Sequence, residues 1–173
     1  MADNEFRTEL IMMCGTSGSG KTHFSRIIEC NGYVRLSLDE EMWNSYGSGY
    51  FSWQPERQMS AQKEMSEVIY NKAAHLLAKN KSVVVDWCFC KRFQRDRWRA
   101  LAEKNNAAAV LLYCSAPRDL LLERLRKRDG NPAPNSAHVT EEMLDRFLCN
   151  FEYPEKDEEA TDASVFCKVR NFI

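Results

Sequence analysis

The residues Gly15-Thr16-Ser17-Gly18-Ser19-Gly20-Lys21-Thr22 fit the spacing G-x-x-x-x-G-K-[ST]. These residue types at this spacing can cradle a polyphosphate. Glycines let backbone N–H groups turn inward and approach phosphate oxygens closely. A helix starting at Lys21 would add unpaired N–H groups and the positive end of its dipole. Lys21 would reach the β and γ phosphates, and the Thr22 hydroxyl would ligate Mg²⁺. An ordinary Gly-Ser turn could use the same residues. The match, however, lies between an apolar run and a helical pattern, the context that phosphate binding requires.

Two carboxylates follow apolar runs. Asp39 comes after Tyr33-Val34-Arg35-Leu36-Ser37-Leu38, where it could accept the proton of an acceptor hydroxyl. It would equally suit the first turn of a helix, and Ser37-x-x-Glu40 has the form of a capping box; capping and catalysis are compatible. Asp86 closes Val83-Val84-Val85 and could hold Mg²⁺ directly or through its waters, the plain alternative being a strand-end acid on a backbone amide. Arg124 and Arg128 are four residues apart and share a helix face. On a closing loop they could neutralise phosphate charge; on a solvated face, as expected for Arg126 and Lys127, they would do nothing. Guanine-specific patterns are missing: D-x-x-G does not occur, and Asn80-Lys81-Ser82-Val83 departs from N-K-x-D at its last position.

Elements must hold these groups in place. Leu10–Cys14 reads as a strand buried on both faces, Lys21–Cys30 as a helix, and Tyr33–Leu38 as a second strand. Asp39–Tyr46 reads as a short helix that Gly47-Ser48-Gly49 breaks. The longest helix runs from Pro55 to about Lys79, with Ala61, Met65, Val68, Ile69, Ala73, Leu76 and Leu77 on one face. Val83–Asp86 is a strand, Lys91–Lys104 a basic helix, Ala107–Cys114 a strand and Pro117–Arg128 a helix. Asp129–His138, with Pro132 and Pro134, is a loop. Thr140 caps a helix that ends near Pro154, and a last strand is expected near Ser164–Val169. Strands alternating with helices predict an α/β fold, a mainly parallel sheet covered on both faces, as one domain over 1–173.

Composition narrows the class. Lys and Arg total 24 against 25 Asp and Glu, so bulk charge does not hold nucleic acid or an acidic membrane. Hydrophobic residues at 44% and charged residues at 28% exclude a disordered chain. The seven scattered cysteines are odd in number and lack C-x-x-C, so they read as reduced, buried thiols. The polar, acidic start is unlike a signal peptide, and the longest apolar stretch, Ala107–Cys114, is far shorter than the roughly 18 residues of a membrane helix. A cytoplasmic protein without membrane contact is expected.

The phosphate loop, Arg35-Leu36-Ser37-Leu38-Asp39-Glu40-Glu41, and Val83–Trp87 followed by Arg95-Asp96-Arg97-Trp98-Arg99 together resemble the small P-loop kinases of the AAA-domain group. That group is similar to polynucleotide 5′-kinases, chloramphenicol phosphotransferase and zeta-toxin kinases. Glu123-Arg124-Leu125…Arg128 looks like the family's lid, here about 124–140, and Phe151-Glu152-x-Pro154 like its downstream landmark. The resemblance spans about Leu10 to Glu159. It implies a P-loop NTPase fold of the nucleotide-kinase type with a five-stranded parallel core and a helical lid. It also implies use of ATP and Mg²⁺, transfer to a hydroxyl, Asp39 as general base and Arg128 as a lid arginine. One departure bears on the acceptor: no Arg follows Asp39 until Arg57, whereas some polynucleotide kinases carry one a few residues after the base. A small-molecule acceptor is therefore expected. A polynucleotide 5′-hydroxyl kinase and a slow ATP-binding switch are the alternatives. Trp43, Tyr46, Tyr50, Phe51 and Trp53 could stack an acceptor ring or form a satellite core. Arg92, Arg95 and Arg99 share a stripe that could touch a polyanion or simply be solvated.

Overall fold

A computed structural model describes residues 8–129, 133–134 and 137–173. Five parallel strands form one sheet: β1 (Glu9–Cys14), β2 (Val34–Ser37), β3 (Val83–Asp86), β4 (Ala108–Tyr113) and β5 (Thr161–Asp162), in the spatial order β2-β3-β1-β4-β5. Central β1 explains the unbroken apolar run in the sequence. Leu10, Ile11, Met12, Met13 and Cys14 are all fully buried because both faces of the strand are covered.

Alternation along the strands sorts the core into two layers. Leu10, Met12, Val83 and Val85 pack with Ile69 and Leu77 of α3 (Pro55–Leu77) and with Trp98 and Leu101 of α4 (Arg92–Lys104). Ile11, Met13, Val84 and Leu112 pack on the other side with Ile28 of α1 (Lys21–Cys30) and with Phe166 and Cys167 of α7 (Ala163–Val169). The α3/α4 layer also takes in α2 (Leu38–Tyr46) and a 3₁₀ turn at Ser48–Ser52, while α5 (Arg118–Arg128) and α6 (Glu141–Asn150) share a third apolar cluster of Leu121, Leu122, Leu125 and Leu144, α6 being capped by the Thr140 hydroxyl accepting from Met143 N–H. Adjacent β1 and β3 send their chains to opposite faces, to α1 and to α4. Such a divergence opens a crevice beyond the carboxyl ends of the strands.

The C-terminal segment departs from expectation. Ser164–Val169 is helical, and the fifth strand is only Thr161–Asp162. Asp162 decides this: its carboxylate accepts from Ser164 N–H and Val165 N–H and so starts a helix where the apolar residues alone suggest a strand. The thiols also differ from expectation: Cys14, Cys114 and Cys167 are buried, but Cys30 and Cys149 are exposed. Within the Asp129–His138 loop and the 124–140 lid, residues 130–132 and 135–136 lie outside the described residues, while 124–128 belong to α5. Among those described, no helix is long and apolar enough to cross a membrane.

Candidate active site

The phosphate loop leaves β1 under tight steric constraint. Gly15 has φ +149°, and a Cβ there would lie 2.4 Å from the Cys114 carbonyl oxygen, so only glycine fits. Its N–H donates to the Cys88 carbonyl at 3.0 Å, tying the loop to the end of β3. Gly18, at φ +80°, faces the Leu121 carbonyl of α5 at 3.2 Å from an added Cβ, so α5 lies against the loop. Gly20 is left-handed at the N-cap of α1. No side chain caps this helix, and its first turn carries no acid. Its free N–H groups and dipole are thus left for an anion. Lys21 Nζ donates to the Thr16 carbonyl at 2.8 Å, which anchors the ammonium over the loop. Ser17 and Thr22 are half-buried along the same turn. The Ser19 hydroxyl is sealed from solvent with no hydrogen-bond partner among the described residues. Leaving such a group unsatisfied costs about 1–3 kcal/mol, a penalty that an arriving phosphate oxygen would relieve.

Asp86 ends β3 beside this loop with its side chain 4% exposed. One carboxylate oxygen, Oδ2, accepts from Ser25 Oγ of α1 at 3.1 Å and from Arg35 of β2 at 2.8 Å. Oδ1 keeps no partner among the described residues. Arg35, 5% exposed, also donates to Ser25 Oγ at 2.9 Å and forks onto Glu40 of α2 at 2.9 Å. Burial works against its charge, but the Asp86 and Glu40 carboxylates hold its pKa above the ordinary arginine value. Sequence reading missed Arg35. The available signal was a lone charge inside an otherwise apolar strand pattern, since such a strand is covered on both faces and its charge needs a partner.

Asp39 is the second residue of α2. Ser37 caps that helix, its hydroxyl accepting from Glu40 N–H at 3.4 Å. The expected cap is therefore present, although the Glu40 side chain turns to Arg35 instead of completing the box. Solvent reaches Asp39, yet surrounding protein crowds its carboxylate. Desolvation first, and the Asp86 charge second, push its pKa up to about 6, against the opposing pull of Lys21 and Arg128. The four groups therefore share one electrostatic field. Arg128 is half-buried and donates to the Ala137 carbonyl at 3.2 Å; desolvation lowers its pKa while Asp39 raises it. Arg124, one turn earlier, donates to the Gly18 carbonyl at 3.1 Å and so touches the phosphate loop itself.

Two candidate acceptor features are used by the fold. The arginine stripe is committed internally: Arg92 pairs with Asp157 at 2.6 Å, Arg99 with Asp96 at 2.9 Å, and fully buried Arg95 with fully buried Glu158 at 2.7 Å. Through Asp157 and Glu158, Arg92, Arg95 and Arg99 lock segment 152–158 to α4. The aromatic segment extends the main core: Tyr50 is buried in the same cluster as Leu10, Met12 and Ile69, and Trp43, Tyr46, Phe51 and Trp53 pack against it. Trp43 meets Phe51 and Tyr46 meets Trp53 at ring separations of 6.0 and 5.1 Å, and Arg57 lies 3.7 Å over Trp53. The Gln58 amide gathers the Tyr50, Phe51 and Trp53 carbonyls, fixing the 3₁₀ turn onto α3.

Compared with known proteins, the sequence matches the AAA-domain family over residues 10–154. No curated protein matches it. Among solved structures it is similar to a candidate kinase of Chloroflexus aurantiacus J-10-fl, with a TM-score of 0.71 and 19% identity over 96% of this chain and 99% of that one. It is also similar to Chaetomium thermophilum Kti12 in complex with ADP-AlF3, with a TM-score of 0.66 and 15% identity over 95% and 98% of the two chains. A gluconokinase of Sinorhizobium meliloti 1021 follows, with a TM-score of 0.56 and 23% identity over 90% and 81%. At these identities the likeness is one of fold. With the family matched over most of its length and the loop, the parallel sheet and the strand-end acids in their places, the chain belongs to the AAA-domain family and has the architecture of a small P-loop kinase.

Proposed function

We propose that this protein transfers the γ-phosphate of ATP to a hydroxyl group of a small molecule. One observation supports this above all: Asp39, its pKa raised to about 6, lies within electrostatic reach of both Lys21 of the phosphate loop and Arg128. A base poised there can take a proton near neutral pH, while the two cations meet charge on the transferring group. The orphaned Ser19 hydroxyl, the glycine-only contacts of Gly15 and Gly18 and the uncapped start of α1 fit a polyphosphate held over residues 15–22. Thr22 and the free Oδ1 of Asp86 would hold Mg²⁺, Asp86 either directly or through the ion's waters. When bound, the ion supplies charge neutralisation and orientation of the phosphate oxygens.

In the transfer, Asp39 orients the acceptor hydroxyl and takes its proton. The acceptor oxygen bonds to phosphorus as the bond to the β-phosphate oxygen breaks. Lys21 and Arg128 balance the charge that shifts onto the departing diphosphate, and Arg124 steadies the loop through Gly18. Commitment of Arg92, Arg95 and Arg99 to acidic partners disfavours a polyanionic acceptor. The test is transfer of labelled γ-phosphate to a panel of nucleosides, sugars, polyols, antibiotics and 5′-hydroxyl oligonucleotides. Lys21→Ala should lose at least about 100-fold in turnover, as for removal of a group that stabilises the transition state. Asp39→Asn should bind ATP by calorimetry as the parent does and lose transfer; normal transfer by that variant refutes the base.

A further inference from the structure

Strand β4 is covered along only part of its outer edge. Ala108 N–H donates to the Thr8 carbonyl and Cys114 N–H to the Cys14 carbonyl, both at 2.8 Å, so the even-numbered residues of β4 spend their backbone groups on β1. In a parallel ladder the residues between them point the other way. Strand β5 meets that outer edge at Leu112 and Tyr113 alone. The N–H and C=O of exposed Ala109 therefore face outward with no partner among the described residues. The chain before β5 does not fill the gap. Glu159, in the left-handed region at φ 49°, ends the 3₁₀ turn Lys156–Glu158, and the chain first joins β4 at Thr161. Buried Glu158 fixes that turn to α4 through Arg95 and Arg99. A groove of about 680 Å³ is left between strand residues 108–111, Arg99 and Glu103 of α4, and turn residues 157–159.

Charge in the groove is one-sided. Arg99 is committed to Asp96 and Glu158, and Asp157 to Arg92. Glu103 and Glu159 are exposed and make no hydrogen bond or ion pair among the described residues. We propose that an extended, basic segment of a partner protein adds to the sheet here as a strand beside β4. Its backbone pairs with Ala109, and its lysine or arginine side chains meet Glu103 and Glu159. In such strand addition the main-chain bonds give affinity and the alternate side chains give selectivity. Ala109 and Leu111 share a face of the sheet, and Leu111 packs there with Leu101 of α4, the helix that carries Glu103. Every second side chain of the added strand points to that face, so basic residues at alternate positions are the matching pattern. The groove lies towards the amino end of β4, whereas the phosphate loop follows the carboxyl end of β1. Peptide binding and phosphotransfer therefore stand or fall separately.

The test is calorimetric titration of the full chain with a capped pentapeptide of alternating lysine and valine. Two further peptides are compared: one with glutamate in place of lysine, and a fully N-methylated lysine–valine peptide that keeps its charge but has no backbone N–H to donate. The parent is set beside Ala109→Pro and Glu103→Gln/Glu159→Gln. Proline at 109 removes an outward N–H and no ladder bond to β1. The lysine peptide should bind, more weakly as salt rises, and the glutamate and methylated peptides should not. Ala109→Pro should weaken binding at least about tenfold and the double variant about fivefold, with the ATP dissociation constant parental in both. If Ala109→Pro does not fold, the methylated peptide still decides the backbone pairing on the parent protein. Equal binding of the methylated and unmethylated lysine peptides overturns strand addition. Undiminished binding by the double variant overturns the charge match. Absence of lysine-peptide binding overturns the basic partner; a parent that then sediments as a dimer, dissociated by Ala109→Pro, assigns the edge to a second copy of the chain instead.

Discussion

At the residue scale the site carries an electrostatic conflict. Asp39 and Asp86 are like charges sharing one field, and crowding by protein adds to the cost of ionising Asp39. The same shift that would tune Asp39 as the proposed base must act on stability. A carboxyl with a pKa of about 6 when folded and 3.8 as its ordinary value holds its proton more tightly in the folded state. Its favourable contribution is complete below the ordinary value and is lost as pH rises through about 6. Asp39→Asn, which never ionises, should therefore melt higher than the parent at pH 8, with the gap shrinking towards pH 4. Phosphotransfer by the parent should rise along a limb centred near pH 6. Calorimetric melting at the two pH values decides the first point: an Asp39→Asn variant that melts lower than the parent at pH 8 contradicts the strained base.

At the scale of elements, Arg35 is the joint of the site. It reaches α1 through Ser25, β3 through Asp86 and α2 through Glu40, so the helix carrying Lys21, the strand carrying Asp86 and the helix carrying Asp39 meet on one guanidinium. Removing it strands a buried carboxylate, which typically costs about 3–5 kcal/mol. Arg35→Met should lower the urea-unfolding free energy by that order. In the Arg35→Met/Asp86→Asn double variant much of the loss should return, because the uncompensated charge is gone. Additive losses in that cycle would mean that the two residues do not act as a pair. Arg35 also marks where sequence reading runs out. Gly15–Thr22 is legible because its parts are consecutive and each glycine answers a local backbone demand. Asp39 and Asp86 are legible because strand ends of a parallel sheet converge on the crevice. The Arg35 partners lie on three different elements, and only the register that sets Val34–Ser37 against Val83–Asp86 brings them together. The C-terminal helix was misread because apolar spacing in a short segment suits both periods, and a single capping carboxylate settles it.

At the scale of the whole molecule, the arginine stripe of α4 shows how a basic motif becomes architecture. Arg95 and Glu158 are fully buried, and Arg95 donates further to the Phe89 and Glu152 carbonyls at 2.9 Å, so one side chain ties the end of β3 to the chain leaving α6. Phe89, in the left-handed region at φ 45°, belongs to the same loop that receives Gly15 at Cys88. The clamp thus supports the phosphate loop from behind. Burial alone would raise the Glu158 pKa, but the hydrogen bonds from Arg95, Glu155 N–H and Arg99 win and hold it at about 2. A carboxylate depressed in this way stabilises the fold above its ordinary value of 4.5 and loses that contribution as pH falls towards 2. Glu158→Gln should accordingly lose about 3–5 kcal/mol at pH 7, the cost of leaving Arg95 buried and unpaired. Its deficit against the parent should narrow between pH 5 and pH 3 as the parent's own Glu158 becomes easier to protonate in the unfolded chain. Urea denaturation of both proteins across that range reads the difference. A deficit that stays constant with pH would assign the loss to packing and remove the charge pair from its place behind the phosphate loop.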